Sequence, residues 1–233
     1  MLTMQSLLLI PGLLSDYALW QNQIEALSDI AACHVADSAT HDRIELIAKD
    51  ILAKAPERFA LAGLSMGGYV SLEIMRQAPE RVTRLCLLNT SARQDTPEQR
   101  QRRSILLALS AKGKFKGVTP RLLPMLIHPE RVSDVVLTQT IMDMAERVGR
   151  EAFQNQQTAI LNRIDSRPYL KDIHCPVQIV GSYQDMISLP EVVEEMAALI
   201  PAAKLTMLEG CGHLSSLEQP QKVTTIMRGW LAR

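Results

Sequence analysis

Six short runs of apolar residues, separated by turn residues and helical patterns, place the strongest limit on what this chain can fold into. They lie at residues 7–10, 33–36, 59–63, 85–89, 177–181 and 204–208. A continuous apolar run predicts a strand buried on both faces, which is typical of parallel sheets covered by helices. Between the runs, apolar residues recur at helical spacing, as at residues 44–52 and 223–231. The alternation predicts one doubly wound α/β domain over residues 1–233, with a mostly parallel sheet of about six strands.

The composition argues against several classes of protein. Of 233 residues, 47% are hydrophobic and 4% aromatic, and 25 basic side chains balance 25 acidic ones, so nothing favours binding to nucleic acid. The run at residues 7–10 is too short to span a membrane and lacks the flanks of a signal peptide. Four widely spaced cysteines favour reduced thiols over disulfides or a metal site. We therefore expect a cytoplasmic protein without a metal, membrane or nucleic-acid partner; its oligomeric state is left open.

One interval interrupts the alternation of strand and helix. The segment between residues 89 and 177 is too long for a single crossover, and its apolar residues recur at helical spacing. We interpret residues 97–167 as a helical lid inserted over the carboxyl ends of the strands, where open α/β folds bind their ligands. A separate helical packing domain with no role at a site is the alternative.

The sequence Gly63-Leu64-Ser65-Met66-Gly67 carries the sharpest chemical signal. This G-x-S-x-G pattern directly follows a buried run and precedes a helical pattern, as a nucleophile elbow does. The glycines give a sharp turn the clearance that side chains would remove. Ser65 would then project above the sheet at a helix N-terminus, where the dipole favours negative charge.

A serine needs a base to take its proton, and His213 is the candidate. Of the five histidines, it alone lies in a glycine-rich loop directly after the final predicted strand. Because parallel strands end at the same edge of a sheet, this loop should open beside Ser65. His213 is therefore predicted to be the general base.

An acid is needed to hold the histidine tautomer, and Asp185 is the candidate. It lies just beyond the strand at residues 177–181, at the same sheet edge. Asp95 is the competing acid, while Glu209 and Glu218 are weaker candidates because they lie very close in sequence to the histidine loop.

Two backbone amides should stabilise the oxyanion. The residue after the nucleophile, Met66, supplies one of them. The other is expected from the loop after the first strand, where Gly12 permits a close approach; Leu13 is the preferred donor and Leu14 the second choice.

These segments together resemble the α/β-hydrolase superfamily over nearly the whole chain. GLSMGG is similar to its nucleophile elbow, LLLIPGLL to its oxyanion loop, GSYQD to its acid loop and GCGHLSSLEQP to its histidine loop. The resemblance implies an α/β-hydrolase fold, a helical lid, an esterase-like mechanism and catalytic roles for Ser65, Asp185 and His213, in the chain order expected for this elbow. Two features depart from the family: Pro11-Gly12 replaces the usual His-Gly, and the first predicted strand is already the oxyanion strand, so six strands are expected without an N-terminal hairpin.

The predicted reaction is hydrolysis of a carboxylic ester or related acyl bond through an acyl-enzyme on Ser65, with no cofactor. Carbon–carbon bond hydrolysis or acyl transfer by the same residues is the alternative, and a non-catalytic receptor on this fold is a third possibility. The substrate is expected to be small and largely apolar. Its pocket is assigned to Leu14, Leu106, Met125 and Ile127, and Cys211 is expected to be structural.

Overall fold

The computed structural model describes residues 4–112, 115–201 and 203–233. Its centre is a six-stranded sheet in which every neighbouring pair runs parallel, in the order β2-β1-β3-β4-β5-β6. The strands are β1 (Gln5–Ile10), β2 (Ala31–Val35), β3 (Phe59–Leu64), β4 (Val82–Leu88), β5 (Val177–Ser182) and β6 (Lys204–Leu208). All six predicted strands are therefore confirmed, with bounds that differ from the apolar runs by at most three residues.

The order of the strands places two loops side by side. The chain runs from β1 outward to β2 and then crosses to the other side of β1 to form β3. Ile10, the last residue of β1, pairs in register with Gly63 near the end of β3. The loops that leave these two strands are neighbours at the point where the strand order reverses, which is where open α/β sheets bind ligands.

Helices cover both faces of the sheet because each central strand is apolar on both sides. Leu7 and Leu9 of β1 face one hydrophobic cluster, while Leu8 and Ile10 face the other. The α-helices are α1 (Gln21–Leu27), α2 (Ile44–Lys54), α3 (Met66–Gln77), α4 (Pro97–Ala111), α5 (Leu123–Leu126), α6 (Val135–Leu161), α7 (Pro190–Leu199), α8 (Ser215–Glu218) and α9 (Pro220–Leu231). Helices α1 and α9 pack in the first cluster, and α2, α3 and α7 in the second.

The interval between β4 and β5 is helical, as the sequence predicts. It contains α4, α5 and the long α6, which is broken at Gly149, where φ is 79°. A glycine tolerates this left-handed conformation, so the helix can change direction there. The insertion packs on loops at the carboxyl ends of the strands: Leu126 accepts hydrogen bonds from the His213 and Leu214 amides at 3.1 and 3.2 Å. Within the described ranges, no helix combines the length and the apolar character needed to cross a membrane.

Candidate active site

Ser65 lies on a strained turn between β3 and α3. Its backbone has φ 56° and ψ −118°, a left-handed region that residues with a Cβ rarely adopt. The conformation is stabilised on both sides, since the Ser65 amide donates to the Leu88 carbonyl at 3.0 Å and its carbonyl accepts from the Thr90 hydroxyl at 2.7 Å. A strained backbone that its surroundings hold in place in this way is typical of functional sites. Here it presents the Ser65 side chain at the carboxyl edge of the sheet.

The elbow is possible only because its glycines let backbone segments touch. A Cβ on Gly67 would overlap the carbonyl oxygen of Ile10, and a Cβ on Gly63 would overlap the carbonyl oxygen of Gly67. The start of α3 is therefore pressed against the end of β1. A Cβ on Gly12 would likewise lie 3.3 Å from the Ser65 Cβ, so the loop that follows β1 lies against the elbow.

Ser65, His213 and Asp185 meet in one hydrogen-bonded chain. The Nε2 atom of His213 lies 2.8 Å from the Ser65 Oγ, and its Nδ1 lies 2.9 and 3.0 Å from the two carboxylate oxygens of Asp185. A carboxylate can only accept, so Nδ1 carries the proton and Nε2 is free to accept from the serine hydroxyl. The three residues come from the ends of three strands, and the tautomer is the one a general base requires.

The Asp185 carboxylate is almost fully buried and fully hydrogen-bonded. Besides His213, it accepts from the amides of Ile187 at 2.8 Å and Ser188 at 3.0 Å, and from the Asn89 side chain at 3.0 Å. Burial opposes ionisation, but the charge of His213 and these donated hydrogen bonds outweigh it, so the pKa of Asp185 lies below its usual value. Asp185 is therefore ionised at neutral pH and can stabilise an imidazolium.

Asn89 is a site residue that the sequence analysis did not single out. It closes β4, is fully buried, and its side-chain amide donates to Asp185, to the Ser182 hydroxyl at 2.9 Å and to the Gly212 carbonyl at 3.3 Å. Its backbone has φ 43°. A polar residue at the carboxyl end of a buried apolar run was the available signal. Asn89 links the acid loop to the histidine loop.

The competing acid Asp95 is engaged elsewhere. Its carboxylate pairs with the guanidinium groups of Arg103 at 2.7 Å and Arg163 at 2.8 Å, all three side chains being largely buried. Glu209 is exposed on the surface. Neither carboxylate contacts His213, so the structure favours Asp185 over both alternatives.

Glu218 contacts the backbone on both sides of the histidine without contacting its ring. Its buried carboxylate accepts from the amides of Gly212 at 3.0 Å, Leu214 at 3.1 Å and His128 at 2.7 Å. Burial raises the pKa of Glu218, although these amides partly offset the effect. The side chain therefore ties the histidine loop to the helical insertion, a structural role that the sequence did not indicate.

The hydrogen-bond partners of three backbone amides bear on the predicted oxyanion site. Within the described part of the chain, the Leu13 amide makes no hydrogen bond, and Met66 is the first residue of α3, where helical amides lack internal partners. The Leu14 amide, by contrast, donates to the Gln156 side chain at 3.0 Å. Because the Leu14 amide already has a partner, Leu13 is the better candidate for the second donor.

The residues assigned to the substrate pocket fall into two groups. Leu14 and Ile127 are buried, and Ile127 packs so closely on the histidine loop that a Cβ on Gly212 would overlap its backbone. Leu106 and Met125 are each 39% exposed on the helical insertion. For all four residues, contact with a substrate stays a prediction.

Cys211 is buried near Asp185 but has the character of a structural thiol. Burial, together with the nearby charge of Glu218, raises the pKa of Cys211 to about 12. It is therefore protonated at neutral pH and unsuited to nucleophilic attack.

A comparison of the sequence with models of known families identifies the family. A sequence model of the alpha/beta hydrolase family matches residues 7–225. The chain belongs to this family. The predicted superfamily, fold and enzyme class, a hydrolase with esterase relatives, are thereby confirmed.

This alpha/beta hydrolase is similar over almost its whole length to named proteins and to solved structures of other proteins. It is 23% identical to the pimeloyl-(acyl-carrier protein) methyl ester esterase of Nitrosomonas europaea, over 93% of this chain and 91% of that protein. A thermophilic esterase from Thermogutta terrifontis has a TM-score of 0.89 and 27% identity, covering 98% of this chain and 89% of that one. The enol-lactonase from Burkholderia xenovorans LB400, at 23% identity and a TM-score of 0.85 over 99% of this chain and 92% of that one, shares the fold.

Proposed function

We propose that this alpha/beta hydrolase cleaves carboxylic esters of small, largely apolar molecules through an acyl-enzyme on Ser65. The observation that carries the proposal is the continuous chain of hydrogen bonds from the Ser65 Oγ through the ring of His213 to Asp185. A hydroxyl, a base and an acid in this relation activate a nucleophile for acyl transfer. The Nitrosomonas europaea relative is named for cleavage of a methyl ester, which supports the same bond type.

In the first half of the reaction the Ser65 oxygen attacks the ester carbonyl carbon. The proton of its hydroxyl passes to Nε2 of His213, and the carbonyl oxygen becomes an oxyanion. The amides of Leu13 and Met66 are the proposed donors to this oxyanion, each such donor being worth roughly 10²–10³ in kcat in related chemistry. When the tetrahedral intermediate collapses, the ester C–O bond breaks and the His213 proton goes to the leaving alcohol.

In the second half a water molecule replaces the alcohol. His213 takes a proton from this water, and the resulting hydroxide attacks the acyl carbon bonded to Ser65. Collapse breaks the bond to the serine oxygen, which takes the proton from His213, and the carboxylic acid is released. Asp185 keeps its negative charge throughout and stabilises the imidazolium in both halves.

The proposed preference is for short to medium acyl chains under a helical lid formed by residues 97–167. Leu14, Leu106, Met125 and Ile127 are proposed to line the pocket. An apolar pocket gains roughly 0.8 kcal/mol per buried methylene, or about fourfold in affinity. Activity should therefore rise gently with acyl length until the lid limits it, and charged acyl groups should be poor substrates.

A fluorophosphonate probe and a series of p-nitrophenyl esters test the proposal. The probe should label Ser65 in the folded protein, and Ser65→Ala should abolish both labelling and ester hydrolysis while leaving the unfolding transition unchanged. Acetate, butyrate and hexanoate esters should give the gentle rise with chain length. Absence of labelling in folded protein would favour the receptor interpretation. A preference of orders of magnitude for one carboxylated substrate would instead favour the carbon–carbon hydrolase.

A further inference from the structure

The loop that carries the proposed oxyanion donor is a strained turn. The Ser15 amide donates to the Gly12 carbonyl at 3.2 Å, which closes a four-residue turn with Leu13 and Leu14 at its centre. Leu14, at the third position, has φ 56°. This geometry normally requires glycine, because a Cβ is strained at positive φ. A leucine at this position needs neighbours that hold it there.

Two hydrogen bonds fix the peptide group between Leu13 and Leu14. On one side, the Leu14 amide donates to the Gln156 Oε1 at 3.0 Å. On the other side, the Ser15 hydroxyl donates to the Leu13 carbonyl at 3.3 Å. Rotation of this peptide by half a turn would give Leu14 the negative φ it prefers and would break both bonds.

Gln156 reaches this loop from the helical insertion. It lies on the second half of α6, after the break at Gly149, and its side chain is 1% exposed. The same helix provides Ala145 and Phe153, which pack with Leu14 in a small hydrophobic cluster. The polar and the apolar contact thus join the insertion to the oxyanion loop.

We propose that Gln156 is a positioning residue: its side-chain oxygen holds the Leu13–Leu14 peptide, and with it the turn in which the Leu13 amide, part of the preceding peptide, stays free for the oxyanion. The inference rests on the proposed ester hydrolysis and adds to it a residue of the insertion. Without the acceptor, the Leu14 amide is buried and unpaired, and the strained φ is no longer compensated. The turn then relaxes and the Leu13 amide moves away from the oxyanion.

The test replaces the acceptor in two ways and compares each variant with a matched control. Gln156→Leu and Gln156→Met keep a side chain of similar size but lack the amide oxygen. Gln154→Leu, two residues away on α6, breaks a different bond, the one to the Ser110 hydroxyl at 3.1 Å. Rates are normalised to the amount of Ser65 that the fluorophosphonate titrates, so unfolded protein does not count.

Both Gln156 variants should lower kcat about 10- to 100-fold. This effect should not exceed the decrease in kcat that follows removal of a whole oxyanion donor. The KM of the ester should stay within about threefold, and the pH dependence of kcat/KM should not move, because His213 and Asp185 are untouched. Affinity for a trifluoromethyl ketone, which forms an oxyanion on Ser65, should fall by the same factor as kcat. Gln154→Leu should behave like the wild type in all three measurements.

A measurement that needs no activity completes the test. Hydrogen exchange at the Leu14 amide should be faster in both Gln156 variants and unchanged in Gln154→Leu. Unchanged exchange, or a normalised kcat within about twofold of wild type, overturns the inference. If the wild type neither reacts with the probe nor cleaves esters, the proposed function fails, and the exchange result alone then decides whether Gln156 holds the turn.

Discussion

At the scale of single residues, the partners of a side chain decide its role more than its type does. Asp185 and Asp95 are both buried aspartates that follow neighbouring strands. Asp185 faces His213, whereas Asp95 lies between Arg103 and Arg163. One carboxylate therefore belongs to the proposed catalytic chain and the other to a buried ion-pair cluster.

The two aspartates should respond differently to the same substitution. Asp185→Asn keeps the shape but favours the wrong histidine tautomer, so kcat should fall by roughly 10⁴. Asp95→Asn leaves two arginines poorly paired and should lower the unfolding free energy by about 3–5 kcal/mol. Its kcat per titrated Ser65 should stay near the wild-type value. Steady-state kinetics and denaturant unfolding check both, and the reverse pattern would make Asp95 the acid.

Asn89 should matter for catalysis through Asp185. Asn89→Gly removes the donor while tolerating the φ of 43° at this position. A hydrogen bond to a charged group is worth about 1.5–3 kcal/mol, so kcat should fall at least about tenfold. Ser188→Ala is the control, because it removes only the hydroxyl bond to the Asn89 carbonyl at 2.9 Å. Equal losses in the two variants would show that the donated bond to Asp185 has no special role.

At the scale of secondary structure elements, the close contact of β1, β3 and α3 is what creates the elbow. The Ser65 turn needs α3 to begin against the end of β1, and this leaves no room for side chains at the glycines between them. The functional geometry thus depends on backbone contacts rather than on side-chain packing.

Two glycine-to-alanine changes should have opposite effects on stability. Gly67→Ala places a methyl group into the Ile10 carbonyl, so unfolding should occur at a clearly lower denaturant concentration, with loss of labelling at Ser65. Gly229→Ala, within α9, places its Cβ within 4 Å of no atom of the described residues apart from its chain neighbours and the backbone of its own helix. It should raise the unfolding free energy by up to about 1 kcal/mol because alanine is the better helix former. A Gly67→Ala protein as stable as the wild type would contradict the packing argument.

At the scale of the whole molecule, the buried Asp185 links the stability of the fold to pH. The folded-state pKa of Asp185 lies below its ordinary value of 3.8, so its ionised form contributes stability above about pH 4. That contribution is lost as the pH falls through the folded-state pKa. Wild type should therefore lose stability relative to Asp185→Asn as the pH falls from about 5 through 3.8 and below. Urea unfolding at several pH values measures this difference, and a difference independent of pH would contradict the lowered pKa.

The sequence by itself determined the parallel sheet, its strands and the family. Each strand is a local apolar run, and the elbow pattern at Ser65 is contiguous, so short-range chemistry suffices to recognise them. The prediction of Asp185 and His213 as site residues needed one further rule, that parallel strands end at the same edge of a sheet. Their proposed catalytic roles rest on that prediction and on the distances in the fold.

Only the tertiary structure decided which partners these residues have. Asn89 and Gln156 act on loops far from them in the chain, and no local pattern indicates that one donates to Asp185 and the other accepts from Leu14. The exposure of Met125 likewise depends on how the insertion packs. Periodicity reports only whether a segment has an apolar side, whereas hydrogen-bond partners and exposure depend on long-range packing.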